Sequence, residues 1–130
     1  MPDVDLPAVL VSAVVVFVAG FAYYAVLGDQ LAEVSDAAAA GEQPPPWKLA
    51  AEFSRGLILA AVIAGLASAA EIDEWPGGLL LGLTLWIGFP LVLWTGAVIH
   101  ENTPHKLAAI HAGDWLVKLP VVAVIVSVWQ

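Results

Sequence analysis

The sequence predicts an all-α, integral membrane bundle of four transmembrane helices, with residues 1–130 forming a single membrane domain. The chain is 61% hydrophobic and only 12% charged, with a mean hydropathy of +0.89, whereas a soluble domain carries about twice that charged fraction. Four apolar stretches are also long enough to cross a hydrocarbon core of ~30 Å. These predicted spans cover residues 6–27, 46–70, 78–99 and 106–129.

The first span, residues 6–27, contains no formally charged side chain. The segment before it, MPDVDLP, has two Asp and no Lys or Arg, which is unlike the basic start of a cleaved signal peptide, so we expect a retained span. An acidic, proline-rich loop follows over residues 28–45, with a short interfacial helix expected at residues 30–40. Carboxylates and prolines exclude this loop from lipid.

The second span begins at Pro46, where proline is tolerated because a first-turn N–H has no partner within the helix. The acidic turn EIDEWPG separates it from the third span, and the segment HENTPHK precedes the fourth. Indole rings favour the headgroup layer, so tryptophans near the predicted helix ends support these boundaries. They are Trp47, Trp75 and Trp129.

Two further patterns predict how the spans are shaped and packed. Pro90 and Pro120 lie within the third and fourth spans, where each removes a backbone hydrogen bond, so we expect kinks there. Small residues four apart let helix backbones approach closely, and we interpret them as packing positions. They are Ala61, Gly65 and Ala69 in the second span and Gly78 and Gly82 in the third.

The fourth span carries a polar stripe within the motif AAIHAGDWLVKL. At ~100° of rotation per residue, His111, Asp114 and Lys118 lie within an arc of about 60° on the helix. Their spacings allow Asp114 to contact both neighbours. Since a charge at the bilayer centre is penalised by roughly 2.5–3.5 kcal/mol, the stripe should face protein or water.

Two functions fit this stripe. In the first, the protein is a transport or channel protein for a small solute, an ion or protons, and the stripe lines its path. In the second, it is a structural or accessory membrane subunit, a homo-oligomer or part of a larger complex, and the stripe holds helices together. The sequence leaves both open.

Other polar residues are expected near the same end of the bundle as the stripe. Glu52 and Arg55 enter the second span from the side of the first loop, and an ion pair within that helix explains them equally well. Tyr23 and Tyr24 lie near the end of the first span and offer hydroxyl groups. These four residues are the candidate partners of the stripe.

Several classes of function find no support in the sequence. A net charge of −8 provides no basic patch for nucleic acid, and the absence of Cys removes thiolate chemistry. One His and one Asp on a helix lack the further ligands of a closed metal site. Since no pattern resembles a nucleophile triad or a phosphate loop, we expect neither an enzyme nor a cofactor.

The basic residues predict the orientation in the membrane. Lys48 and Lys106 lie in or beside the first and third loops, and Arg55 is about two turns inside the second span. Cytoplasmic loops are enriched in Lys and Arg, so these loops should be cytoplasmic and both termini outside. The expected location is the inner membrane of a bacterial cell, with lipid and a second copy or another membrane protein as partners.

Three motifs carry a family resemblance. GFAYYAVLG in the first span, WIGF in the third and AAIHAGDWLVKL in the fourth resemble a family of small bacterial membrane proteins catalogued as domain of unknown function 1761. The resemblance covers nearly the whole chain. It implies a four-helix integral membrane protein and no particular activity. The long acidic first loop, and Leu31 where members often have Trp, depart from the family pattern.

Overall fold

The computed structural model describes residues 4–35 and 45–129, and every regular element within them is an α-helix. The helices are α1 Leu6–Val26, α2 Gly28–Ala32, α3 Pro46–Ala69, α4 Trp75–Gly88, α5 Pro90–Glu101 and α6 His105–Val128. Four stretches are long and apolar enough to span a membrane: α1, α3, α4 together with α5, and α6. This confirms the predicted all-α architecture with four membrane spans.

Helix α1 begins where the sequence provides a cap for its free N–H groups. The carboxylate of Asp5 accepts a hydrogen bond of 3.1 Å from the backbone N–H of Ala8. After α1, the chain turns at Leu27 into α2, which has only five residues. The predicted loop over residues 28–45 therefore starts as a helical turn, and residues 36–44 of that loop lie outside the described part of the chain.

The third span is longer than predicted and is divided in two. It runs from Trp75 to Glu101, whereas the sequence predicts residues 78–99, and it breaks at Phe89. Pro90 has no N–H to donate to the carbonyl of Trp86, and Phe89 has a ψ of −74°, so α4 ends and α5 begins. Pro120 acts differently, because α6 continues through it without interruption.

Helix α6 is the centre of the bundle and packs against each of the other five described helices. In its most apolar window of 18 residues, 50% of the positions are buried, compared with 17–22% in the other three spans. Two of the buried positions are charged, Asp114 and Lys118. Only the central helix is shielded well enough from lipid to carry charges at such positions.

The outer faces of the spans are apolar and exposed, as expected for surfaces that contact lipid tails. They include Leu10, Val14, Val18, Ile58, Val62, Leu80, Ile87 and Leu93. Apolar side chains of this number on a soluble domain would form a large exposed patch. In a bilayer they contact hydrocarbon, so the surface agrees with four membrane-spanning helices.

The predicted small residues divide into two groups. Gly78 and Gly82 of α4 are buried against α6, which we call the glycine contact. A Cβ on Gly82 would lie 2.7 Å from the nitrogen of Pro120, and one on Gly78 would lie 2.8 Å from the carbonyl oxygen of Ala123. Both distances are too short for a side-chain atom, so the contact requires glycine.

Of the predicted small residues on α3, Ala61 packs against the core, whereas Gly65 and Ala69 do not. Gly65 is half-buried with no atom within 4 Å of a Cβ added there, and Ala69 is exposed. The buried face of α3 consists of Ala60, Ile63, Ala64 and Ala67. The stripe of Ala61, Gly65 and Ala69 lies beside this face because Ile63 and the alanines turn toward α1 and α6.

Candidate functional site

The charged residues of α6 lie in the half of the bundle nearest α2 and the start of α3. Asp114 is 4% exposed and Lys118 is 9% exposed. The Nζ of Lys118 lies 2.8 Å from Oδ2 of Asp114, one helical turn away, and the two form an ion pair. Because both partners are on one helix, the pair forms without any other span.

Helix α1 contributes Tyr24, which joins two members of the predicted stripe. Its hydroxyl lies 2.8 Å from Nδ1 of His111 and 3.3 Å from Oδ2 of Asp114. With a proton on Nδ1, the imidazole donates to the tyrosine oxygen and the hydroxyl donates to the carboxylate. His111 therefore reaches Asp114 through Tyr24.

The neighbouring Tyr23 contacts the backbone of the helix that carries the stripe. Its hydroxyl donates a 2.6 Å hydrogen bond to the backbone carbonyl of Ile110 and does not contact the side chains of the stripe. A Cβ at Gly113 would collide with this hydroxyl, so glycine at position 113 makes room for it. Tyr23 thus fixes α1 on α6 and leaves Tyr24 to contact the charged groups.

Helix α3 contributes the other two candidate partners. Oε1 of Glu52 lies 3.5 Å from Nζ of Lys118, and its Oε2 accepts a 2.7 Å hydrogen bond from Nη1 of Arg55. Glu52 and Arg55 therefore form an ion pair within α3, and Glu52 also pairs with Lys118 of α6. Lys118 lies between two carboxylates, Asp114 on its own helix and Glu52 on α3.

Three tryptophans away from the predicted helix ends belong to this part of the bundle and were not predicted from the sequence: Trp86 and Trp94 contact α6 from α4 and α5, and Trp115 lies on α6 itself. Trp94 stacks on His111 with ring centroids 5.0 Å apart and planes 20° apart. Nε1 of Trp86 donates a 2.7 Å hydrogen bond to the carbonyl of Ala112, and Nζ of Lys118 lies 5.1 Å from the centroid of Trp115. Each of these tryptophans lies within a span, away from the headgroup layer that indole rings favour, and this position in the sequence could have indicated a contact inside the bundle.

These side chains surround a partly open cavity of about 610 Å³, which we call the charged cavity. Helices α1, α3 and α6 and one residue of α5 line it, and its polar members are Tyr24, Lys48, Glu52, Arg55, His111, Asp114 and Lys118. Its exposed lining residues Phe21, Lys48 and Arg55 belong to the end of α1 and the first turns of α3. The opening is therefore on the side of the first loop.

Six of the seven polar groups of the cavity, all except Lys48, form one connected series. It runs from His111 through Tyr24 to Asp114, then through Lys118 to Glu52 and Arg55. Every member can donate, accept or carry a proton. Within residues 4–35 and 45–129, no three His, Asp or Glu side chains lie close enough together to hold a metal ion.

The opposite half of the bundle, in the residues that the structure describes, is closely packed. Beyond Lys118, the buried side chains are small and apolar, as in Val122, Ala123 and Val126. The glycine contact brings α4 onto the backbone of α6 at this level. The charged cavity is therefore open on one side and closed on the other.

Fold and site together define a class: a membrane-spanning helical bundle with a buried ion pair in a cavity that opens on one side. Residues 7–127 match the family described as Protein of unknown function (DUF1761), and the chain belongs to this family. This confirms the family resemblance read from the three sequence motifs. No curated protein and no solved structure matches the chain significantly.

Proposed function

We propose that the protein transports a small charged solute, an ion or protons across the membrane, and that the charged cavity is its binding site. The observation that carries this proposal is a buried ion pair, Asp114 with Lys118, bordering a cavity of about 610 Å³. Cavities of roughly 300–1,000 Å³ accommodate small molecules. Ionisable groups inside a membrane usually mark the path of an ion or solute.

Transport also requires the closed half of the bundle to open. Two features could permit this opening. One is the break between α4 and α5 at Phe89, and the other is the contact of Gly82 with Pro120. Broken helices in transporters allow one part of a span to move relative to the other. A tilt of α4 about Phe89 would separate α4 from α6 and leave α5 beside His111.

The proposal is tested by flux into liposomes. The purified protein in liposomes should dissipate an imposed pH gradient, or admit a small charged solute in a light-scattering assay, faster than protein-free liposomes do. Asp114→Asn removes the charge with little change in shape and should reduce that flux. Thr95→Val, on the exposed side of α5, is the matched control and should not. Flux equal to that of empty liposomes for protons and a panel of solutes would contradict transport.

A second candidate is an accessory subunit that assembles through its small residues. It is favoured by the α3 stripe, because Gly65 faces open space and could receive a second helix. On this proposal the protein is a homo-oligomer, and Gly65→Leu weakens it in mild detergent. A wild-type monomer by mass measurement in lipid would remove the self-association claim.

We further propose that the first and third connections are cytoplasmic, both termini are outside and the membrane is the inner membrane. The ion pair between Glu33 and Lys106 is consistent with this arrangement, since it joins the two connections at one end of the bundle. The chain has no Cys, so single cysteines report orientation directly. Asp73→Cys should react with an impermeant thiol reagent in intact cells, and Asp29→Cys only after permeabilisation. The reverse pattern would invert the topology.

A further inference from the structure

The distribution of basic residues between the cavity and the rest of the chain is uneven. The sequence has four Lys and Arg against twelve Asp and Glu. Three of the four basic residues, Lys48, Arg55 and Lys118, line the charged cavity, whereas two of the nine acidic residues within the described part of the chain do. With His111 neutral, the cavity has a formal charge of +1 inside a chain of −8.

The ion pairs already made within the cavity engage both of its carboxylates and leave N–H groups of Arg55 free. Glu52 accepts from Arg55 and lies beside Lys118, and Asp114 pairs with Lys118. A guanidinium has five N–H groups, and Arg55 donates one of them to Glu52 while its side chain remains 64% exposed. A ligand entering the cavity therefore meets unpaired N–H groups before it meets an unpaired carboxylate.

The remaining lining of the cavity is apolar and aromatic. Phe17 and Phe21 from α1, Leu59 from α3 and Trp94 from α5 all contribute to it. The two phenylalanines pack edge to face with ring centroids 5.0 Å apart. Apart from the indole N–H of Trp94, this wall offers contact area to an apolar group but no hydrogen-bonding group, so it suits a ligand with an uncharged body.

We propose that the ligand of the charged cavity is a small organic monoanion with an apolar body, such as a carboxylate attached to an aromatic or aliphatic group. Arg55 binds the anionic group, because a planar guanidinium matches a carboxylate in a two-point contact. The phenylalanines and Trp94 hold the body. A monoanion neutralises the formal charge of the cavity, whereas a cation would increase it and face Lys118.

The inference rests on the proposed function only in taking the charged cavity as a solute site. The same chemistry, an anionic group on an apolar body, could come from a free carboxylate or from the headgroup of an anionic lipid. The bilayer composition separates these two sources, because a bilayer of phosphatidylcholine alone supplies no anionic lipid.

The experiment is calorimetric binding to the full chain in nanodiscs of phosphatidylcholine, with three probes of one shape: benzoate, benzamide and benzylammonium. Benzoate should bind and the other two should not. Arg55→Gln should weaken benzoate binding by about tenfold or more, the loss typical of a charge-assisted hydrogen bond. Lys106→Gln removes a cation outside the cavity and should leave the affinity unchanged. Preference for benzylammonium, or equal effects of the two variants, would overturn the inference.

A second arm tests the lipid source by native mass spectrometry after exchange into mixed phosphatidylglycerol and phosphatidylcholine. Retention of phosphatidylglycerol that Arg55→Gln abolishes, without benzoate binding, assigns the anion to lipid. If benzoate does not bind and lipid retention does not depend on Arg55, the proposed ligand class is overturned.

Flux measurements separate this inference from the proposed function. Benzoate that binds while protons, benzoate and the other solutes cross no faster than in empty liposomes upholds the ligand and contradicts transport. Flux of cations with neither benzoate binding nor Arg55-dependent retention of phosphatidylglycerol upholds transport and contradicts the ligand.

Discussion

The two halves of helix α6 are packed by opposite means. Between His111 and Lys118, the helix presents long polar side chains that reach Tyr24 and Glu52 across a cavity of about 610 Å³. Between Leu119 and Ser127, it presents backbone and small buried residues directly to glycines of α4. The packing of the first half depends on matched charges, and that of the second depends on the absence of side chains. Different substitutions should therefore destabilise the two halves.

The largest expected effect is in the charged half, on removing Lys118. Lys118→Met leaves Asp114 buried with only the 3.3 Å contact of Tyr24, and breaking a buried pair in this way costs about 3–5 kcal/mol. Asp114→Leu should cost less, because Lys118 retains Glu52 at 3.5 Å. The free energy of unfolding in lipid nanodiscs measures both.

The double variant Asp114→Leu with Lys118→Met is the control for this prediction. It removes both charges, and it should recover much of the stability that Lys118→Met alone loses. If all three variants leave the unfolding free energy unchanged, the charges are solvated by water in the cavity. In that case the charged half of α6 is stabilised by water in the cavity and not by ion pairs.

A smaller loss is expected at the glycine contact. Gly82→Ala places a Cβ against backbone atoms of Leu119 and Pro120, which cannot rotate away, so about 3 kcal/mol of stability should be lost. Gly65→Ala is the matched control, because a Cβ there meets nothing within 4 Å. Thermal unfolding of the two variants side by side checks this. Equal melting temperatures would show that α4 and α6 are not in close contact.

The smallest expected change in stability, and the only expected gain, follows from substitution of Ser127. Its hydroxyl is fully buried beside Gly78 and makes no hydrogen bond within the described residues. Ser127→Ala removes an unsatisfied polar atom and should raise stability by up to about 1 kcal/mol. A melting temperature below that of the wild type would indicate that the hydroxyl has a partner after all.

The sequence predicts the charged half better than the packed half. His111, Asp114 and Lys118 stand out against apolar neighbours, and helical spacing alone places them on one face. Trp94 is different, because its contact with His111 depends on how α5 is directed after the break at Phe89. The cavity itself arises from the distances between three helices, which no single helix specifies.

The small residues also show that the sequence of one helix does not decide which of its faces packs. A repeat of every fourth position occurs in both α3 and α4, and the glycines of α4 meet another helix directly, whereas Gly65 of α3 has no atom within 4 Å of an added Cβ. The face of α3 that packs is decided by Ile63 and the alanines around it, whose burial depends on α1 and α6 together. Spacing identifies faces that permit close approach, and the neighbouring helices decide which one is used.

The central position of α6 has a consequence for biosynthesis. The other helices precede α6 in the chain, so they leave the ribosome before the helix on which they all pack has been made. When α6 enters the bilayer, it brings a carboxylate and an ammonium one turn apart, and their charges cancel on the same segment. The insertion machinery therefore receives a helix that is nearly neutral at that depth, and the earlier spans gather around it afterwards.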